Sequence, residues 1–208
     1  IEQTRKSSHL ERLIMLNDWE SVALSLAILQ DSDLERINDR PANGSGTRAL
    51  CGVGTGLGVA GLVAAKDGTW VPVAGEGGHV SFSPVDQEES QILNTLMGSH
   101  DHVSFEKILS GPGLVGLHQA IAAIDGASVE TLMPQQIVAR AASQDDPVCK
   151  KTLEVFCGIL GNFAGNLCLT LGATGGIYVG GGVIQKIDET GAFERERFLD
   201  RLALKGRL

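Results

Sequence analysis

Apolar runs and polar turns alternate along the chain in a way that predicts a mixed α/β protein. The apolar run 13–16 follows charged residues and predicts a buried strand. Asn17 and Asp18 come directly after it, where a helix is predicted to begin. Four apolar residues then recur at helical spacing and predict one helix face: Trp19, Val22, Ala23 and Leu26. The polar stretch 31–47 predicts a connection and a candidate hinge between two lobes.

The next part of the chain has the pattern of strands. Apolar and small residues dominate 48–53, 58–65 and 69–73, and a Lys66-Asp67-Gly68 turn separates the second run from the third. Short runs joined by tight turns are typical of an antiparallel meander. Helical spacing then takes over. Asp86, with Glu89 three residues later, predicts a capping box, and proline is expected in the first turn of three further helices: Pro112, Pro134 and Pro147.

The segment 155–185 contains no charged residue. This uncharged segment is longer than the roughly 20 residues that cross a bilayer. Its nine glycines, its two asparagines and the Thr174-Gly175-Gly176 interruption argue against a membrane span. A buried helix followed by a buried strand at 177–179 explains it better. Three glycines in that helix permit close backbone approach: Gly158, Gly161 and Gly165. A charged tail, expected to be helical, follows.

Composition narrows the function classes. The 208 residues, 43% of them apolar, are enough for one ordinary domain with a substantial core. A net charge of −8 without any basic run argues against nucleic acid as a partner. The four cysteines lack paired ligand spacing, which fits a reducing cytosol and not a disulfide or zinc framework. The first residue is Ile1 and no signal segment follows it, so the chain is expected to be the interior of a longer one.

Two glycine-rich turns are candidate phosphate or nucleotide sites. Glycine occupies every second position from Gly52 to Gly58, but the spacing is neither that of a dinucleotide-binding fold nor that of a P-loop. The turn Gly54-Thr55-Gly56 has exposed N–H groups and a hydroxyl that could meet a phosphate, and a hairpin without a ligand explains it equally well. Gly180-Gly181-Gly182 follows the strand at 177–179. A flat purine could lie against it, or it is a tight strand-to-helix connection.

Polar side chains in three places are candidates for holding a hydroxylated ligand. Asn17 and Asp18 have the residue types of a helix cap, and Asp18 could also accept a hydroxyl proton. Glu76 and His79 stand in a Gly-Glu-Gly-Gly-His loop, where Glu accepts and His both donates and accepts hydrogen bonds; a surface turn is the plainer interpretation. Glu106 by itself reads as a solvated residue in the first turn of a helix.

Taken together and in order, five segments resemble the bacterial-type glucokinase family of the actin-like sugar kinase superfamily. The resemblance runs from about Ser7 to the end and rests on 16–18, 52–60, 75–79, 103–117 and 180–183. It implies an α/β, actin-like (ribonuclease H-like) sugar kinase fold with a mixed sheet and flanking helices, mostly the large C-terminal lobe. Residues 1–30 would be a remnant of the small N-terminal lobe, and 31–208 the large lobe that carries the sugar and nucleotide loops.

The resemblance also implies roles for individual residues. Asp18 matches the general base, and four residues match positions that hold sugar hydroxyls: Asn17, Glu76, His79 and Glu106. The Gly54-Thr55-Gly56 turn matches the second phosphate loop, and Gly180, Gly181 and Gly182 match the nucleotide-side loop. The related repressor and kinase group shares the Gly-Glu-x-Gly-His loop but adds a cysteine-rich zinc motif that this sequence lacks, so no metal ligand is predicted.

The implied function is a cytoplasmic glucokinase that transfers the γ-phosphoryl group of ATP to the 6-hydroxyl of glucose, with Mg²⁺. A homodimer without nucleic acid or membrane partners is expected. The family's Asp-x-Gly-Gly-Thr phosphate loop and its C-terminal Gly-Leu-Leu-Gly segment do not occur in these residues. Two alternatives stay open: a non-catalytic hexose-binding or regulatory protein of the same fold, and a kinase for another hexose.

Overall fold

The central strand of the fold is β1 (Arg48–Val53), which pairs with a neighbour on each side. A computed structural model describes residues 2–128 and 130–206. β2 (Leu57–Ala64) runs antiparallel to β1, β3 (Trp70–Gly75) runs antiparallel to β2, and β4 (Ile177–Gly180) runs parallel to β1. The sheet order is β3-β2-β1-β4, so the predicted meander and the mixed sheet are both confirmed.

Eight α-helices surround this sheet in the described part of the chain: α1 (Glu2–Ser7), α2 (Asp18–Ser25), α3 (Gln87–Met97), α4 (Gly111–Ile124), α5 (Pro134–Ser143), α6 (Pro147–Leu171), α7 (Gly182–Glu189) and α8 (Arg195–Ala203). Proline stands in the first turn of α4, α5 and α6, as predicted. Ser110 and Asp146 cap α4 and α6 by accepting hydrogen bonds from the first-turn N–H groups, which explains why these helices begin where they do.

The two faces of the sheet are buried against different partners, because successive side chains of a strand point to opposite sides. One face packs on α6 and α7 and belongs to the main core, with Ala49, Cys51 and Val53 of β1 buried there. The other face packs on α2 through a smaller cluster, in which Leu50, Ala60 and Leu62 meet Ala23 and Leu26. The helix α2 is therefore fixed to the same strands that end at the glycine turns.

Helix α6 contacts α8 almost backbone to backbone, as its glycines predict. A Cβ atom added at Gly161 would lie 2.1 Å from the carbonyl oxygen of Phe198, and one added at Gly165 would lie 2.6 Å from that of Leu202. Arg201 of α8 also forms a buried ion pair with Glu89 of α3. Because burying one such charge without its partner is costly, the ion pair fixes how α8 lies against α3.

The structure corrects four expectations about burial, pairing and capping. Residues 13–16 form no strand, and Ile14, Met15 and Leu16 are exposed, because no described strand pairs with this run. Val22 is exposed although it shares the spacing of the α2 face. The strand at 177–179 is half-buried, since β4 lies at an edge of the described sheet. The capping box at Asp86 also differs: Asp86 accepts from the N–H of Glu89, but the Glu89 carboxylate accepts from the N–H of Val85.

Among the described residues, one helix, Pro147–Leu171, is long and apolar enough to cross a membrane by length and composition alone. In this fold 72% of its apolar stretch is buried inside the protein, as in the core helix of a folded domain. Three cysteine side chains, Cys51, Cys149 and Cys157, are buried, and burial raises the pKa of each thiol to about 12. These thiols therefore pack as small apolar groups.

The α6–α8 contact predicts opposite effects for two glycine-to-alanine substitutions. Gly161→Ala should lower the free energy of unfolding by about 1–3 kcal/mol, because the methyl group forces the helices apart. Gly116→Ala in α4 is the matched control, because the nearest atom to the new Cβ would be 3.9 Å away. It should raise the free energy of unfolding by about 0.4–1 kcal/mol, since alanine lowers the conformational entropy of the unfolded chain. Urea unfolding followed by circular dichroism measures both, and equal midpoints would contradict the close packing.

His118 gives the fold a predictable pH dependence. The side chain is buried in α4, its ring nitrogens have no hydrogen-bond partner within residues 2–128 and 130–206, and burial lowers its pKa from the usual value of 6.5 despite the nearby Asp146 carboxylate. Below pH 6.5 the unfolded chain binds a proton that the folded chain does not, so stability is complete above this pH and falls by up to about 1.4 kcal/mol per pH unit below it. His118→Leu should flatten this slope between pH 7 and 5.5 in urea titrations; an unchanged slope would rule out His118 as its source.

Candidate functional site

The carboxyl ends of the parallel strands β1 and β4 meet two glycine turns and the start of α4. Gly181 has a φ of +96°, and a Cβ atom there would lie 2.3 Å from the carbonyl oxygen of Val53, the last residue of β1. The N–H of Gly111 donates to the carbonyl of Gly54 at 2.8 Å. The Gly54-Thr55-Gly56 turn therefore lies against both the Gly180–Gly182 loop and the first turn of α4. The structure brings these two predicted nucleotide-side turns together.

The Gly-Glu-Gly-Gly-His loop packs directly on β2. A 3₁₀ turn, Gly77–His79, follows Glu76, and a Cβ atom added at Gly78 would lie 2.2 Å from the carbonyl oxygen of Leu57. Glycine is needed here because the loop backbone touches the strand backbone. The side chains of Glu76 and His79 consequently project outward, with 81% and 61% of their surface exposed.

Glu106 is brought to this loop by backbone pairing between two distant segments. Ser81 and Ser104 form an isolated antiparallel bridge, and the N–H of Phe105 donates to the carbonyl of Val80 at 3.1 Å. Glu106 lies in the 3₁₀ turn Phe105–Lys107 that follows. One carboxylate oxygen accepts from the N–H of Leu57 at 2.9 Å, so Glu106 is anchored to the first residue of β2.

Three predicted sugar ligands thus form one cluster. Nδ1 of His79 lies 3.8 Å from Oε1 of Glu106, and Nε2 of His79 lies 3.9 Å from Oε2 of Glu76. A Cβ atom at Gly56 would lie 2.5 Å from Oε2 of Glu106, so the cluster borders the Gly54-Thr55-Gly56 turn. Two carboxylates around an imidazole present acceptors and a donor at distances suited to several hydroxyl groups. No group of three His, Cys, Asp or Glu side chains in the described residues is arranged to hold a metal ion.

Asn17 and Asp18 lie at the start of α2, on the other face of the hairpin. The Asn17 side chain caps the helix by accepting from the N–H of Trp19 at 2.9 Å, and Glu20 completes the capping box. Asp18 is exposed, and its carboxylate accepts from the same N–H at 2.9 Å. The capping role of Asn17 is therefore confirmed, and its role toward a sugar, like that of Asp18, stays a prediction.

Comparison with known proteins identifies the family. A family model described as "Glucokinase" matches residues 1–208. The curated glucokinase of Chromobacterium violaceum is 43% identical over 208 residues, which are all of this chain and 59% of that protein. The chain belongs to the glucokinase family. This family assignment confirms the resemblance that the five sequence segments carried.

Solved structures agree with the glucokinase family and its fold. A glucokinase from an Antarctic psychrotroph superposes with a TM-score of 0.90 at 32% identity, covering 99% of this chain and 63% of that one. A ROK family glucokinase from Streptomyces griseus, solved with glucose and AMPPNP, shares the fold with a TM-score of 0.61 at 19% identity, covering 97% of this chain and 62% of that one. The chain spans about three fifths of the length of these relatives. The sugar kinase fold, with its mixed sheet and flanking helices, is confirmed.

Sequence reasoning missed two contacts of the candidate site. Trp19 was assigned only to a helix face, but its ring lies on Gly52 and Gly58. The signal was present, because a hairpin turning at 54–56 places these two glycines opposite each other. Ser110 was also missed: its hydroxyl donates to the carbonyl of Glu106 at 2.8 Å and accepts from the N–H of Gly113. No local pattern indicates that link.

The anchoring of Glu106 predicts how the site tolerates substitution. Glu106→Ala should lower the free energy of unfolding by about 1–2 kcal/mol, because the N–H of the buried Leu57 loses its partner. Glu106→Gln keeps an amide oxygen in the same place and should stay within about 0.5 kcal/mol of the parent, as substitutions that preserve a contact usually do. Urea unfolding at pH 7 distinguishes the two. If both variants were as stable as the parent, the bond to Leu57 would not anchor this side chain.

Proposed function

We propose that this protein is a glucokinase that transfers the γ-phosphoryl group of ATP to the 6-hydroxyl of glucose. The observation that carries the proposal is the cluster of Glu76, His79 and Glu106 beside the Gly54-Thr55-Gly56 turn. A polar cluster suited to a sugar thus borders a backbone turn suited to a phosphate. Transfer of a phosphoryl group requires those two ligands to be side by side.

Hydrogen-bonding chemistry supports glucose as the acceptor. The two carboxylates each accept hydrogen bonds from hydroxyl groups, and charged acceptors make these bonds stronger than neutral ones do. His79 can donate to one sugar oxygen and accept from another hydroxyl. Asn17 would contribute a further amide contact while its side-chain oxygen caps α2. Relatives that carry the glucokinase name, and the glucose in the Streptomyces griseus structure, support this choice.

The nucleotide side of the proposal rests on glycine geometry. At Gly56 and Gly181 a side chain would collide with Glu106 and with β1, whereas at Gly54, Gly180 and Gly182 a Cβ atom would meet nothing within 4 Å. The two turns therefore combine close backbone contact with open space beside them. Exposed N–H groups in such turns bind phosphate oxygens, and Thr55 adds a hydroxyl. The AMPPNP in the Streptomyces griseus structure supports ATP as the donor. ATP would bring Mg²⁺ with it, held largely by the nucleotide phosphates and water, and the ion would supply charge neutralisation.

Asp18 is the proposed general base. Its carboxylate is exposed in the first turn of α2, where a hydroxyl group can reach it. It would orient the 6-hydroxyl of glucose and take up its proton as the phosphoryl group arrives, leaving glucose 6-phosphate. Water has to be excluded, or hydrolysis of ATP competes. We therefore propose that two lobes close around the sugar in a cytoplasmic homodimer, and that α2, which packs on the sheet, stays with the sheet during this closure.

Isothermal titration calorimetry tests the proposed function directly. Glucose should bind to the protein, and should bind more tightly when AMPPNP is present, because the two ligands lie side by side and both favour the closed state. A coupled assay should then record ADP formation that depends on glucose. Binding of glucose without any effect of AMPPNP and without turnover would favour the non-catalytic hexose-binding alternative. Preference for another sugar in a panel of hexoses would favour the second alternative.

Replacement of Asp18 by asparagine tests the assigned base. Asp18→Asn should reduce kcat by about 10²–10⁴-fold, the usual contribution of a positioned general base, and should leave the affinity for glucose within a few fold. The amide keeps the size and the helix-capping geometry but cannot take up the proton. Asp67→Asn, in the exposed turn between β2 and β3, is the matched control and should keep the parent's kcat. Full turnover by Asp18→Asn would reject this residue as the base.

A further inference from the structure

Two glycines face each other across the β1–β2 hairpin and leave a gap in its surface. Gly52 pairs directly with Gly58. Both belong to the face of the sheet on which Leu50, Ala60 and Leu62 bury their side chains against α2. At the Gly52–Gly58 pair two side chains are missing from an otherwise continuous apolar surface, and this occurs at the end of the hairpin next to the Gly54-Thr55-Gly56 turn.

The indole of Trp19 occupies this gap. A Cβ atom at Gly52 would lie 1.5 Å from Cη2 of Trp19, and one at Gly58 would lie 1.7 Å from Nε1. Both positions overlap the ring, so the indole lies flat across the backbone of the two strands. Contact between a large ring and bare backbone of this kind requires glycine at both strand positions.

Trp19 also ties together the backbone that carries Asn17 and Asp18. The backbone N–H of Trp19 donates to the side-chain oxygens of both residues at 2.9 Å. The other residues of this cluster in or next to α2, namely Ala23, Leu24 and the C-cap Leu26, lie one turn or more further along. Upstream, Ile14, Met15 and Leu16 are exposed. The indole is therefore the contact that fixes the first turn of α2 on the sheet.

We propose that Trp19 is a positioning residue for Asp18, acting through the seat of its indole on the Gly52–Gly58 pair. The ring holds the first turn of α2 at a fixed height over the hairpin. It therefore sets where the Asp18 carboxylate lies relative to the cluster of Glu76, His79 and Glu106 and to the Gly54-Thr55-Gly56 turn. This inference rests on the proposed function. A displacement of a catalytic group by about 1 Å can cost roughly 10²-fold in rate, so the seat matters for turnover more than for binding.

Four variants of the protein test the inference in the coupled assay and in glucose titrations. Trp19→Leu should lower kcat by about 10²-fold while the KM and the calorimetric affinity for glucose stay within a few fold. Trp19→Phe keeps a flat ring on the glycine pair and should restore most of kcat. Gly58→Ala leaves Trp19 in place but fills its seat, and should reproduce the loss. Trp70→Phe is the matched control, since Trp70 packs on the same face away from Asp18, and it should keep the parent's kcat.

Fluorescence provides a readout that does not depend on turnover. The chain contains two tryptophans, so Trp70→Phe leaves Trp19 as the only one. Acrylamide should quench Trp19 weakly in that background and clearly more after Gly58→Ala is added, because the ring has left its seat. Equal quenching with and without Gly58→Ala would overturn the inference even if Trp19→Leu failed to fold.

The outcomes separate this inference from the proposed function. Turnover by the parent protein together with an undiminished kcat in Trp19→Leu or Gly58→Ala would overturn only the positioning role. A parallel rise in KM, or failure of Trp19→Phe to restore kcat, would also overturn it, since a merely structural role predicts such losses. Absence of turnover in the parent protein, with glucose still bound, would reject the kinase and the positioning role together.

Discussion

The candidate site at the carboxyl end of β1 depends on direct contacts between backbone segments. Gly181 crosses the last carbonyl of β1, Gly78 touches the first carbonyl of β2, and Gly111 bonds to the turn between them. Side chains at the first two positions would push two loops outward by about an ångström. Glycine at these positions is therefore a condition for convergence, and it accounts for part of the chain's 27 glycines.

The same sheet serves two purposes on its two faces. On the α6 side it buries ordinary apolar residues and supplies stability. On the α2 side the packing is thinner, and it includes an aromatic ring on bare strand backbone and Arg48 over the ring of Trp70, 4.3 Å from its centroid. Rigid strands thereby hold both the polar loop after β3 and the start of α2. A site assembled on strands in this way needs little reorganisation when a ligand arrives.

Much of the fold could be predicted from local pattern, because the strands predicted at 48–53 and 69–73, which the structure has at 48–53 and 70–75, and the proline-initiated helices are set by nearby residues. The five ordered motifs also predicted the family. Burial was harder: 13–16 has the composition of a strand but no partner strand in the described residues, and Glu89 is buried by an arginine 112 positions away. The cluster around His79 depends on the bridge from Ser81 to Ser104, and such long-range pairing leaves no trace in the spacing of a single sequence.

The buried cysteines allow local opening of the core to be measured by the rate of thiol alkylation. Only the thiolate reacts with alkylating reagents, and in the closed protein burial keeps Cys51 and Cys157 protonated and shielded. At mildly alkaline pH these thiols can be alkylated only after β1 or α6 has opened to solvent. Because Cys51 belongs to the strand that ends at the glycine turns, its modification rate reports how often that strand detaches, and a ligand that holds the turns together slows the reaction.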